Sequence, residues 1–147
     1  MQFVNEFRYL LHIISNNLCD DAVIKREIHN MYVRTNMSIQ RFRNCSQHVK
    51  IAIFRDYCIC LYGVALWSHF SSCIRPMMTF KYCYNKCIKK FFGYSKYYSV
   101  TEMLLALGLS SFDTVIHNYR KSFLYVWSKH SNDLVKPLRR VSPSAFL

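Results

Sequence analysis

The stretch "DDAVIKREIHNMYVRTNMSIQRF", residues 20–42, decides the fold. Ile24, Ile28, Met31, Tyr32, Thr35, Ile39 and Phe42 recur at steps of three and four, which traces one face of an α-helix. About six turns fit that length, and Asp20 or Asp21 is a good N-cap for them. Arg26, Arg34 and Arg41 fall together on the opposite face. Such a stripe is commonly a solvated helix surface; it is also the arrangement that a phosphate backbone would meet.

Downstream, the three Gly and three Pro of the 147 residues leave long uninterrupted segments, which favours helices over many short strands. Residues 44–46 break the first helix and cap a second, predicted over residues 47–68. Its first turns carry Val49, Ile53, Tyr57 and Cys60 on one side, and "YCICLYGVALW", residues 57–67, is apolar all round. That suits the middle helix of a bundle; the apolar run from Tyr57 to Phe70 is too short to cross a bilayer, so no membrane partner is expected. A third helix lies between Pro76, suited to a first turn, and Gly93, suited to the C′ position. Met77, Phe80, Tyr84, Cys87, Ile88 and Phe91 form its inner face, while Lys86, Lys89 and Lys90 point away and favour the helix dipole. "SVTE", residues 99–102, is a capping box for a short helix that stops at Gly108. "SSFD" offers a second, Ser110 with Asp113, opening a helix lined on one side by Phe112, Val115, Ile116, Tyr119, Phe123, Val126 and Trp127.

Upstream stands "FRYLLHIIS", residues 7–15, which reads as a β-strand. A strand exposes a row of unpaired N–H and C=O groups, and residues 1–6 supply at most one short partner across a turn at Asn5 and Glu6. The expected fold class is therefore mainly α: a helical bundle of about four to five helices with a short N-terminal β-strand or hairpin. The chain is one ordinary domain in length, and 52% hydrophobic with 16% aromatic residues excludes a disordered segment. Twenty Lys and Arg against eight Asp and Glu give a net charge of +12, the footprint of an anionic partner, nucleic acid above all. The seven cysteines are odd in number and fall mostly in helix interiors. Met1 leads directly into "QFVNEF", so no signal peptide is expected, and free thiols in a reducing intracellular setting, cytoplasm or nucleus, fit better than a disulfide framework.

Nothing in the chain looks like a catalytic site. The one adjacent carboxylate pair, Asp20 and Asp21, is explained as a helix cap, and there is no Gly-rich phosphate loop, His-Glu-x-x-His or Gly-x-Ser-x-Gly. Cys58, Cys60, His69, Cys73, Cys83 and Cys87 cluster in sequence, and the pairs His69/Cys73 and Cys83/Cys87 are spaced for one helix face each. A zinc-stabilised helical module is one alternative this leaves open; buried structural thiols are the other, since Cys87 already belongs to an apolar stripe.

Several of these segments, in order, match a known pattern. "FRYLLHIIS", "DDAVIKREIHNMYVRTNMSIQRF", "LYGVALW", "NKCIKKFFGY" and "DTVIHN" resemble the region downstream of the catalytic palm in reverse transcriptases of LINE-type, non-LTR retrotransposons. The resemblance runs from about residue 3 to about residue 128 and implies a primer-grip strand followed by a helical thumb. Phe7, Tyr9 and Leu10 match the grip motif, Arg8 takes the place of its lysine, and Leu11 stands where that family has glycine. Leu61, Tyr62, Gly63 and Trp67 match the later Leu-Tyr-Gly-x-x-x-Trp motif. The implied organisation is a remnant of the palm and grip at 1–15, a thumb-like region at 16–92, C-terminal helices at 93–130 and a frayed tail at 131–147. The resemblance further implies an RNA or DNA primer–template duplex as partner, held through its backbone by Phe7, Arg8, Tyr9, Leu10, Arg26, Arg34 and Arg41. It implies a missing palm domain as well, whose aspartates hold two Mg2+ ions; the chain is thus expected to carry no cofactor and no polymerase activity by itself. A decayed, non-functional copy is the remaining alternative.

Overall fold

The computed structural model describes residues 6–9, 12–15, 20–61, 63–64 and 74–129, with side chains of 6, 8, 9, 12–15 and 74 outside that description. Five α-helices dominate it: α1 (Asp21–Arg41), α2 (Gln47–Ile53), α3 (Ile74–Phe92), α4 (Val100–Leu107) and α5 (Phe112–Lys129). No described helix is long and apolar enough to cross a membrane.

The N-terminal segment is not one strand. The backbone of β1 (Glu6–Tyr9) pairs antiparallel with β2 (His12–Ser15), Glu6 opposite Ser15 and Tyr9 opposite His12. Folding back pairs the ladder groups on the facing edges of the two strands, part of what a single strand would have left for another partner. The expected turn at Asn5 and Glu6, and residues 10–11 between the strands, lie outside the described residues or at their edge.

Helix α3 is the centre of the molecule. Its predicted inner face is buried throughout, joined by Cys83. On one side it meets Val23, Ile24 and Met31 of α1; on the other, Met103 and Leu107 of α4 and Phe112 and Ile116 of α5 join the same core. Residues on both sides of Phe92 share it. The contacts Cys83 Sγ to the Ile28 carbonyl, Lys86 to the Tyr32 ring and Lys90 Nζ to Asn36 Oδ1 advance in step along both helices, which makes α1 and α3 parallel neighbours. Both C-termini consequently sit at the same end of the bundle.

Asp20 and Ser46 stand at the N-cap positions of α1 and α2 without a side-chain cap hydrogen bond, whereas α4 is capped as expected. Ser99 Oγ accepts the Glu102 N–H at 3.4 Å, and Gly108 ends α4 with φ 61°, a left-handed conformation that favours glycine. Helix α5 begins one residue later than "SSFD" suggests: Ser111, not Ser110, accepts the Thr114 N–H at 3.2 Å. Ser110 is engaged otherwise, its carbonyl accepting the Tyr84 hydroxyl at 2.6 Å.

The second helix departs most from expectation. It runs as α-helix only to Ile53, continues as one π-turn over Phe54–Cys58, and leaves helical form before Leu61 instead of reaching residue 68. In the π-turn the Ile59 N–H reaches the Phe54 carbonyl at 3.1 Å. Phe54 and Cys58 take the buried face, while Val49 and Tyr57, expected there, are 45% and 44% exposed. Where the helix ends, two carbonyls make tertiary bonds: Tyr119 donates its hydroxyl to the Ile59 carbonyl at 3.1 Å, and Arg34 donates to the Cys60 carbonyl at 2.7 Å. Leu61 and Val64 are buried and Gly63 has φ 73°; Tyr62 and Trp67 lie outside the described residues.

Tyr84 carries a pH-dependent part of this stability. Burial pushes its phenol up to about 12, Arg55 offsetting part of the rise, against about 10 for an unperturbed tyrosine. The folded chain thus holds that proton more tightly than the unfolded chain. Its contribution is fully present below about pH 10 and is lost as pH rises toward about 12. Urea midpoints should fall more steeply over that window in the wild type than in Tyr84→Phe; equal slopes would show that ionisation of Tyr84 does not matter.

Candidate nucleic-acid interface

The arginines of α1 do not form the free stripe that their spacing suggests. Glu27 is 2% exposed, and Arg26 Nη2 and Arg34 Nη2 approach its two carboxylate oxygens at 3.2 and 3.4 Å. Arg34 also makes the Cys60 bond, so its guanidinium ties α1 to the chain beyond the π-turn. The buried face of α1 includes Glu27 and Ser38 and is rotated by about 60° from the apolar stripe read in the sequence. That rotation brings Arg34 to the edge of the core instead of opposite it. Arg41 alone of the three is exposed, in the last turn. The clue was available in Glu27 itself, an acid two turns before Arg34 and embedded between Ile24 and Ile28.

Of the grip residues, Phe7 is 56% exposed, and Arg8 and Tyr9 contribute backbone to β1. Leu10 and Leu11 lie outside the described residues.

Cations collect on α3. Arg75, Tyr82, Lys86 and Lys90 are exposed at spacings of seven, four and four, forming one ridge along the outer side of the helix. Over sixteen residues that ridge is about 22 Å long. Lys86 Nζ sits 5.9 Å from the ring centroids of both Tyr32 and Tyr82, and Tyr82 is 66% exposed. Lys89 points to the loop that follows, donating to the carbonyls of Lys96 at 2.8 Å and Tyr98 at 2.6 Å. Among the described residues Glu27 pairs with Arg26 and Arg34, and Asp113 with Lys81; no described ion pair involves Arg75, Lys86 or Lys90. The sequence signal was the lack of acids between Asp56 and Glu102, a stretch carrying Arg75, Lys81, Lys86, Lys89, Lys90 and Lys96. Because α1 and α3 are parallel, exposed Arg41 and Arg43 stand at the same end as Lys89 and Lys90.

Among the described residues Cys58, Cys83 and Cys87 are buried, while Cys45 and Cys60 are half-buried. Cys83 Sγ and Cys87 Sγ are 3.9 Å apart in the core, and their hydrogen bond together with burial pushes the Cys83 thiol up. Cys58, buried beside Ser38, is raised by burial too. Among the described residues no three His, Cys, Asp or Glu side chains converge as metal ligands, and His69 and Cys73 lie outside those residues.

Comparison of the chain with protein-family models, curated proteins and solved structures found no match.

Proposed function

We propose that this chain binds an RNA or DNA duplex through its phosphate backbone, as the thumb-like region of a LINE-type reverse transcriptase, without supplying catalytic groups of its own. The observation that carries the proposal is the acid-free α3 ridge of Arg75, Lys86 and Lys90 with Tyr82 among them. Backbone binding needs cations that are not already neutralised, spaced along a surface that can follow a groove edge, and no base-reading geometry. The ordered motifs read in the sequence add the family, and the net charge of +12 adds the long-range attraction. On this proposal the duplex lies along α3, and Arg26 and Arg34 serve the fold.

The test is the salt dependence of duplex affinity, followed by fluorescence anisotropy. Replacing Arg75, Lys86 and Lys90 together by glutamine should lower the slope of log affinity against log salt by about 2.7, at about 0.9 per lost phosphate contact. Arg26→Gln should leave that slope unchanged. An unchanged slope in the triple variant would place the binding face elsewhere.

A further inference from the structure

Directly after α3 comes the loop "GYSKYYS", residues 93–99. It is held at several points. Gly93 turns the chain at φ 76°, the Tyr94 N–H returns to the Lys89 carbonyl at 2.8 Å, and the Tyr98 N–H bonds the Ser95 carbonyl at 3.1 Å. Lys89 reaches across from the last turn of α3 and clasps two carbonyls of the loop. The rings of Tyr94 and Tyr98 pack with centroids 4.8 Å apart.

Between these anchors Tyr97 is 84% exposed, and Lys96 Nζ lies 4.7 Å from its ring centroid. A large aromatic held in water by an ordered backbone gains nothing for the core. It offers a flat apolar surface with a cation beside it, and the complementary chemistry is a base with its phosphate: the base stacks on the ring and the phosphate meets the ammonium. The loop follows Lys89 and Lys90 directly and leaves α3 at the end of the bundle where α1 ends in Arg41, followed by Arg43.

We infer that the loop over residues 93–99 is a stacking platform for an unpaired nucleotide strand, with Tyr97 as the stacking ring and Lys96 as the phosphate partner. The inference rests on the duplex proposal and extends it: the ridge takes paired strands and the loop takes the unpaired strand that continues from them.

Anisotropy titrations of the full chain with a labelled oligodeoxythymidylate, and separately with a blunt duplex of the same length, test it. Tyr97→Ala should weaken single-strand binding about tenfold, within the range for loss of one base–aromatic stack, and leave blunt-duplex binding unchanged. Tyr97→Phe should keep both. Unchanged single-strand affinity in Tyr97→Ala, with duplex binding intact, overturns the platform and leaves the duplex proposal standing. Equal weakening of both ligands makes the loop part of the duplex face and also overturns the platform. A wild-type chain that binds neither ligand overturns both. Circular dichroism of each variant confirms that removing an exposed ring leaves the helices intact.

Discussion

Replacing Phe54 by alanine is expected to destabilise the folded chain by about 4 kcal/mol, as measured by urea unfolding. Phe54 is fully buried at the start of the π-turn. Its ring lies 6.1 Å from Tyr84, 5.9 Å from Phe91 and 6.1 Å from Phe92, centroid to centroid. Three aromatic neighbours from one rigid helix cannot collapse into the space left behind, so the lost transfer energy is joined by a cavity cost. Set against a whole-domain stability of about 5–15 kcal/mol, that loss would leave a measurable unfolded fraction. Tyr57→Ala is the control, since its side chain is 44% exposed in the same turn and should cost well under half as much. A Phe54→Ala variant within about 1 kcal/mol of the wild type would mean that the aromatic cluster does not anchor the π-turn.

Glu27→Ala is the second large effect, expected at about 3 kcal/mol. The carboxylate is buried and meets two guanidinium groups, with Asn30 Nδ2 donating to it at 3.5 Å. Removing it leaves Arg34, only 16% exposed, without its counter-charge while still tied to the Cys60 carbonyl. The penalty comes chiefly from the charge left behind, as in any broken buried pair. Adding Arg34→Met to Glu27→Ala should therefore recover part of the loss, and a double-mutant cycle reads the coupling directly. Purely additive losses would show that solvent, not Glu27, balances Arg34. The same pair explains why Arg26 and Arg34 are poor choices for a phosphate-binding face: a guanidinium near 3.3 Å from a buried carboxylate is already half-committed.

What the sequence determined by itself is what depends on residues within a turn or two of one another. The extents of α1, α3 and α4 were legible from three- and four-residue spacing. The inner face of α3, the Ser99 cap and the Gly108 stop were legible for the same reason, since propensity, amphipathicity and capping act over a few residues. Where the second helix ends belongs to tertiary structure: there the carbonyls of Ile59 and Cys60 accept from Tyr119 and Arg34, 60 and 26 residues away, partners that local spacing does not reveal. Tertiary structure also decided which face of α1 is buried, since Glu27 enters the core only with two arginines to neutralise it. The candidate interface belongs to this second group. That Lys86 and Lys90 were outward-facing could be read from α3 alone, but their place beside Tyr32 and Asn36 follows from the parallel packing of α1 and α3. Spacing along one helix sets which residues share a face; only the neighbour packed against it sets whether that face meets core, counter-charge or water.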